Sequence, residues 1–221
     1  MTAAEKALEL IADGMVLGLG TGRAATAFIH ALGARVQAGL RIRGVPTSQA
    51  SATLAQQLGI PLVTLDEIEQ LDIDIDGADE VDPQLNLIKG LGGALVREKI
   101  VAASSRKLVI LVGPEKLSPV LGTRGVLPVE VVPFGLPLCQ RRLKSLGIPS
   151  KPRLAASGGL FVSDNHNHVL DCQIQPLTDP TATAQRIGAI PGVVDTGLFL
   201  GMANTVIVDD GGNVQVRTRG G

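Results

Sequence analysis

The sequence predicts an α/β protein built on a parallel sheet, with a small α+β lobe and a closing strand and turn. Three observations carry this. Short apolar runs alternate with helix-length segments as far as residue 113. The loops after those runs are rich in glycine, as "GLGTG", "DGADE" and "KGLGG" show. Near "GVLPVEVVPFG" (125–135) the alternation gives way to a β-branched run bracketed by Pro128 and Pro133. Strands alternating with helices at this spacing are the mark of βαβ units.

In chain order, residues 3–12 read as a helix ending near Gly14, and "MVLGLG" (15–20) as a short strand. Residues 21–36, rich in alanine, read as a helix. "IRGVPTS" (42–48) is a second strand, and 48–59 a helix capped by Ser48 and closed by Gly59. "PLVTLDE" (61–67) and "LDIDIDGADE" (71–80) read as strands or strand-loops, 93–105 as a helix and "KLVILVG" (107–113) as a strand. In the second region, 153–174 reads as an antiparallel hairpin turning at Asn165–Asn167, with a helix following Asp179. "NTVIVDDGGNVQVR" (204–217) supplies a last apolar strand and a turn. The expected division places 1–126 and 199–221 in one domain and 127–198 in the small lobe.

Composition excludes several functions. Lys+Arg 20 against Asp+Glu 21 leaves no basic field for nucleic acid, and the absence of Trp and Tyr, with only four Phe, removes most base-stacking platforms. Cys139 and Cys172 are too few for a zinc cluster or disulfide framework and read as buried thiols. The N-terminal residues carry acids and no continuous apolar stretch, and no run reaches the roughly 18 apolar residues of a membrane span. A cytoplasmic protein with no membrane partner is expected.

The densest chemistry lies in "DIDIDGADEVD" (72–82), six carboxylates in eleven positions. Asp72, Asp74, Asp76 and Gly77 match the opening of a calcium loop, but its twelfth position, a bidentate glutamate in the template, is Pro83. Asp72 and Asp74 alternate with isoleucines, as on the polar face of a strand, while Asp76 and Asp79 fall in the loop after it. "GLGTG" (18–22) begins a dinucleotide fingerprint that fails at Arg23, where the third glycine belongs, and no acid follows at the expected distance. A glycine turn before a helix still offers backbone N–H groups to a small phosphate. Gly90, Gly92 and Gly93 open the next helix in the same way.

On that helix the i±3 and i±4 neighbours of Glu98 are Ala94, Leu95, Val101 and Ala102, all apolar. A carboxylate in such surroundings tends toward the raised pKa that a general base needs near neutral pH. Asp76, Asp79, Lys89 and Glu98 therefore suit proton transfer on an oxygen-rich substrate. The residue types alone also leave Mg²⁺ binding open.

"GLGTG", "DGADEVD", "IKGLGGALVREKIVA" and "LPVEVVPFG" resemble, in this order, the signature segments of type A ribose-5-phosphate isomerases, and the match continues through "SDNHNHVLDC" and "IPGVVDTGLFL". The resemblance implies a Rossmann-like parallel-sheet domain with a smaller ferredoxin-like α+β lobe, forming a homodimer or larger homo-oligomer. It implies an isomerase of ribose 5-phosphate and ribulose 5-phosphate that uses no metal or cofactor and passes through a cis-enediolate. Catalytic roles fall on Glu98 as base, Asp76 and Lys89. Substrate contacts fall on Thr21, Gly22, Arg23, Ala24, Asp76, Gly77, Ala78, Asp79, Lys89, Gly90, Leu91, Gly92 and Lys116.

Two departures stand out. The first loop, commonly G-T-G-S-T in the family, reads "GTGRA", so Arg23 and Ala24 replace two hydroxyls, and Arg23 offers a planar fork to phosphate instead. His166 stands where glycine is common, and His166 and His168 are read as hairpin surface. A sugar-phosphate deaminase or lactonase on a related fold would lack the Lys89-to-Glu98 segment in this form. A sugar-phosphate-sensing regulator would carry a helix-turn-helix and a basic face, and neither is evident.

Overall fold

The computed structural model describes residues 1–220; Gly221, the last residue of the expected 199–221 segment, lies outside them. Two compact units emerge, one of Met1–Ala78, Arg97–Leu117 and Gly201 onward, the other of Asp79–Val96 and Ser118–Leu200.

The first unit begins with α1 (Ala3–Leu8), β1 (Val16–Leu19), α2 (Arg23–Gln37), β2 (Arg43–Pro46), α3 (Gln49–Gln57) and β3 (Ile73–Gly77). The chain then forms β4 (Glu80–Val81) and β5 (Leu87–Ile88) in the second unit, and returns through α4 (Leu95–Ala103) to β6 (Leu108–Val112). The second unit resumes with β7 (Val126–Val131), α5 (Leu136–Ser145), β8 (Ser150–Pro152), β9 (His168–Gln173), α6 (Pro180–Gly188), β10 (Val193–Thr196) and β11 (Leu198–Phe199). Strands β12 (Thr205–Asp209) and β13 (Val214–Thr218) complete the first.

In the first unit the sheet order is β13-β12-β6-β3-β1-β2, parallel except for the antiparallel edge strand β13. Numbered along the chain, its five parallel strands lie in the order 2-1-3-4-5, which reverses between β1 and β3. Such a reversal opens a crevice at the carboxyl ends of the two strands. The loops at those ends are Gly20–Gly22 and the turn after Gly77. Burial explains the sheet. All of "LVILV" in β6 is buried, as in a parallel sheet covered on both faces. Phe28, Ile29 and Leu32 of α2 share a core cluster with Leu17, Leu19, Ile73 and Ile75.

The second unit contains β7-α5-β8-β9-α6-β10, whose sheet runs β10-β7-β9-β8 with every neighbour antiparallel. This is the ferredoxin-like βαββαβ arrangement. A three-stranded sheet, β11-β5-β4, accompanies it.

Several elements differ from the sequence reading. Residues 61–67 are not a strand. Leu62 makes a single bridge to Gly44, and Leu65–Glu67 forms a 3₁₀ turn closed by a Thr64–Glu67 capping box. The first helix ends at Leu8. Helix α5 was not anticipated; Pro137 sits in its first turn, where a missing N–H costs nothing, and Cys139 and Leu143 form its buried i, i+4 pair. Ser48 and Asp179 cap α3 and α6 as expected, their side chains accepting from Ser51 N and Ala182 N. His166 has φ +62°, the left-handed region where glycine is at ease.

Candidate active site

In the first unit the chemistry gathers at the ends of β1 and β3. Asp72, Asp74 and Asp76 share one side of β3, because side chains i, i+2 and i+4 of a strand do. That side is covered rather than solvated: Asp74 and Asp76 are both 0% exposed. The glycines of the neighbouring strand make this possible. A Cβ on Gly18 would lie 2.6 Å from Asp74 Cγ and 2.7 Å from Val101 Cγ1, and one on Gly20 would lie 2.6 Å from Asp76 Cα. The "GLG" of the first loop is therefore the mould in which the aspartates of "DID" sit. Asp76 Oδ1 accepts from Thr21 N (3.0 Å) and Gly77 N (2.7 Å), so the acid also ties the two loops together.

A hydroxyl cluster that the sequence reading did not single out supports the first loop. Thr21 Oγ1 lies 2.8 Å from both Thr47 Oγ1 and Ser48 Oγ, and Ser51 Oγ donates to Gly20 O at 2.6 Å. The turn residue Gly22, with φ +96°, leads into the fifteen-residue α2, whose first turn has no acid and whose N-cap makes no side-chain bond. Its leading N–H groups suit an anion. Ala24 lies in that first turn. Arg23 is 93% exposed in its side chain and stands 3.7 Å from Glu115, whose neighbour Lys116 ends a short 3₁₀ turn. Glu98, on the first turn of α4, is 4% exposed; Ala94, Leu95, Val101 and Ala102 are buried with it.

The remaining expected residues belong to the second unit. Asp79 accepts Leu91 N–H on Oδ2 at 2.9 Å, and its own N–H donates to Ile88 O, which fixes the glycine loop to the acid. Gly93 N donates to Gly90 O at 2.9 Å, closing a turn over 90–93 in which Gly90 and Gly93 both have positive φ. Lys89 is 2% exposed, with its Nζ 5.6 Å from the centre of the Phe199 ring. Thus Thr21–Ala24, Asp76, Gly77, Ala78, Glu98 and Lys116 lie in one unit, and Asp79 with Lys89–Gly92 in the other. The chain crosses between these sets at Ala78–Asp79 and Val96–Arg97.

Among the described residues no three His, Cys, Asp or Glu side chains gather closely enough to hold a metal ion. No helix among them is long and apolar enough to cross a membrane. Cys139 and Cys172 are free and buried, and burial pushes the Cys172 thiol up to about 12. A thiol held neutral in this way is no nucleophile.

Known proteins resemble this chain over nearly its whole length. The family model described as ribose 5-phosphate isomerase A (phosphoriboisomerase A) matches residues 43–212. A ribose-5-phosphate isomerase A of Roseiflexus sp. (strain RS-1) is 54% identical over 208 residues, covering 93% of this chain and 89% of the relative. The structure of ribose 5-phosphate isomerase A from Methanocaldococcus jannaschii superposes with a TM-score of 0.94 at 40% identity, covering 98% of this chain and 96% of the other. A D-ribose-5-phosphate isomerase in complex with phospho-erythronic acid gives 0.95 at 37% identity, with the same coverage of each chain.

Proposed function

Since the chain belongs to the ribose 5-phosphate isomerase A family, and so interconverts ribose 5-phosphate and ribulose 5-phosphate in the non-oxidative pentose phosphate pathway, we propose that Glu98 is the base of the reaction. The observation that carries this role is its burial at 4% exposure on an apolar helix face, in the first turn after a glycine loop. A solvated salt-bridge role would leave that carboxylate at the surface.

The steps follow from the chemistry. Glu98 takes the proton from C2 of the open-chain aldose, and the electron pair moves into a C1–C2 double bond as the carbonyl oxygen gains charge. In the resulting cis-enediolate the proton on O2 passes to O1, the proton held by Glu98 returns to C1, and the C2 carbonyl of the ketose forms. Lys89 and the N–H groups of Gly90 and Gly92 offset the developing oxygen charge, which is where fixed donors accelerate most. Asp76 and Asp79 hold sugar hydroxyls and assist ring opening, with Gly77 and Ala78 supplying backbone between them. The phosphate is assigned to the first loop, with Thr21, Gly22 and Ala24 at the start of α2 and Arg23 and Lys116 as its cations. The phospho-erythronic acid bound by a structural neighbour, an acid that carries a phosphate, supports a phosphorylated ligand. An isomerisation assay on protein treated with EDTA tests the metal-free reading. Undiminished turnover is expected; activity lost on EDTA and restored by Mg²⁺ would return the carboxylates to metal binding.

The 127–198 lobe is assigned to assembly as a homodimer or larger homo-oligomer. In its support, Phe134 is 98% exposed and Leu154, Leu160 and Val162 are exposed too. Phe134→Asp should lower the mass measured by light scattering, and an unchanged mass would take Phe134 out of the interface. A cytoplasmic location belongs to the same proposal and accords with two cysteines held as thiols.

A further inference from the structure

The glycine loop assigned to the enediolate has a fixed shape, and the group that fixes it comes from elsewhere in the chain. Arg153 follows β8, its backbone N–H bound to Val169 O at 2.8 Å and its carbonyl accepting Phe161 N at 2.9 Å. Its side chain is 13% exposed. Asp171 on β9 holds the guanidinium bidentately, Nε donating to Oδ2 at 3.1 Å and Nη2 to Oδ1. The ring of Phe161 lies 5.8 Å from the guanidinium carbon. Nη1, turned away from that carboxylate, donates to both Gly90 O and Leu91 O at 2.9 Å.

Peptide geometry turns this into a statement about donors. A trans peptide points its C=O and its N–H in opposite directions. The Gly90–Leu91 peptide is gripped at both ends, its oxygen by Arg153 and its N–H by Asp79. Holding Leu91 O on Arg153 turns the next N–H, that of Gly92, away from the guanidinium. The same loop meets Phe161 at Gly93, where a Cβ would lie 2.7 Å from Cε1 of the ring. Phe161 is itself placed by its backbone, since its carbonyl contacts His168 Nδ1 at 2.9 Å. The turn beyond it is pinned by the buried Glu130, whose Oε1 accepts from Ser163, Asn165 and Asn167.

We infer that Arg153, locked by Asp171 and Phe161, is a positioning residue for the isomerisation: it sets the orientation of the 90–92 peptides, and through them the direction of the Gly92 N–H. It does not touch the reacting atoms. This inference rests on the assignment of the Lys89–Gly92 loop to the reaction.

The test compares R153M, R153K, R153A and K89M by ribose 5-phosphate turnover and by thermal melting. A loop released by a fraction of an ångström to about 1 Å costs on the order of 10- to 10²-fold in kcat, with a smaller change in KM. R153M should show that loss. R153K should recover little of it, because a point ammonium does not hold a carboxylate bidentately and two carbonyls at once. Millimolar guanidinium should restore kcat to R153A without a matching rise in its melting temperature, while sodium at equal ionic strength should not; a merely structural arginine would regain activity only in step with stability. D171N, which keeps the arginine and loosens its anchor, should fall between R153M and the wild type even if the Arg153 variants melt early. R153M and D171N within twofold of wild-type kcat beside an inactive K89M would overturn the inference alone. Full activity in K89M would remove the loop from the reaction, and the role of Arg153 with it.

Discussion

Replacing Glu98 with Gln is expected to lower kcat by roughly 10² to 10⁴-fold, the usual contribution of one general base, and to leave the affinity for ribose 5-phosphate close to that of the wild type. At about 1.4 kcal/mol per tenfold, this corresponds to roughly 3–5 kcal/mol of transition-state stabilisation. The two side chains match in shape, so the 4%-exposed position on α4 keeps its packing and only the proton acceptor is removed. A fall in kcat and kcat/KM together identifies an interaction made in the transition state. Steady-state kinetics beside a binding isotherm for phospho-erythronic acid separates this from a ground-state effect. Turnover within tenfold of the wild type would remove Glu98 from the base role.

Gly20→Ala should be the most damaging single-methyl change in the first unit. The added Cβ would meet Asp76 Cα at 2.6 Å, and a backbone atom does not move aside by changing rotamer. Overpacking of this kind costs about 1–3 kcal/mol or more, which for a chain of this size lowers Tm by roughly 2–12 °C. The effect on activity should exceed the effect on stability. Displacing Asp76 breaks its bonds to Thr21 N and Gly77 N, which join the first loop to the end of β3. Misplacement of about 1 Å costs on the order of 10²-fold in rate. Calorimetry and kcat/KM on the same preparation check both parts. A G20A protein that melts and turns over like the wild type would show that Asp76 does not depend on its glycine neighbour.

What the sequence revealed depended on whether the relation was local. Glu98 was legible because its surroundings on α4 follow from helical period alone. Ser48, Gly59 and Asp179 were legible because caps act within one turn. Asp74 misled, since its alternation with isoleucine reads as one wet face, whereas a parallel sheet is covered on both, and Asp76, expected in the loop after the strand, still lies within β3. Their burial depends on Gly18 and Gly20, more than fifty positions earlier, and the register Gly18↔Asp74 exists only once the strands pair. Arg153 was out of reach for the same reason: 63 residues of chain separate it from Gly90. Residues 61–67 suggested a strand through Val63 and Leu65, but the Thr64–Glu67 box closes a turn there first. The departure at Arg23 was visible from composition, while its approach to Glu115 was not.

The proposed isomerisation turns on proton transfer through a carboxylate, and this has one direct test. Ribose 5-phosphate is incubated with enzyme in D₂O, and carbon-bound deuterium in the recovered sugars is followed by NMR. The wild type should place solvent deuterium at the exchanging carbon and E98Q should not, while still binding phospho-erythronic acid. Rapid isomerisation with no deuterium incorporated, together with a fully active E98Q, would mean that hydrogen passes between C2 and C1 without a base, and would contradict the role assigned to Glu98.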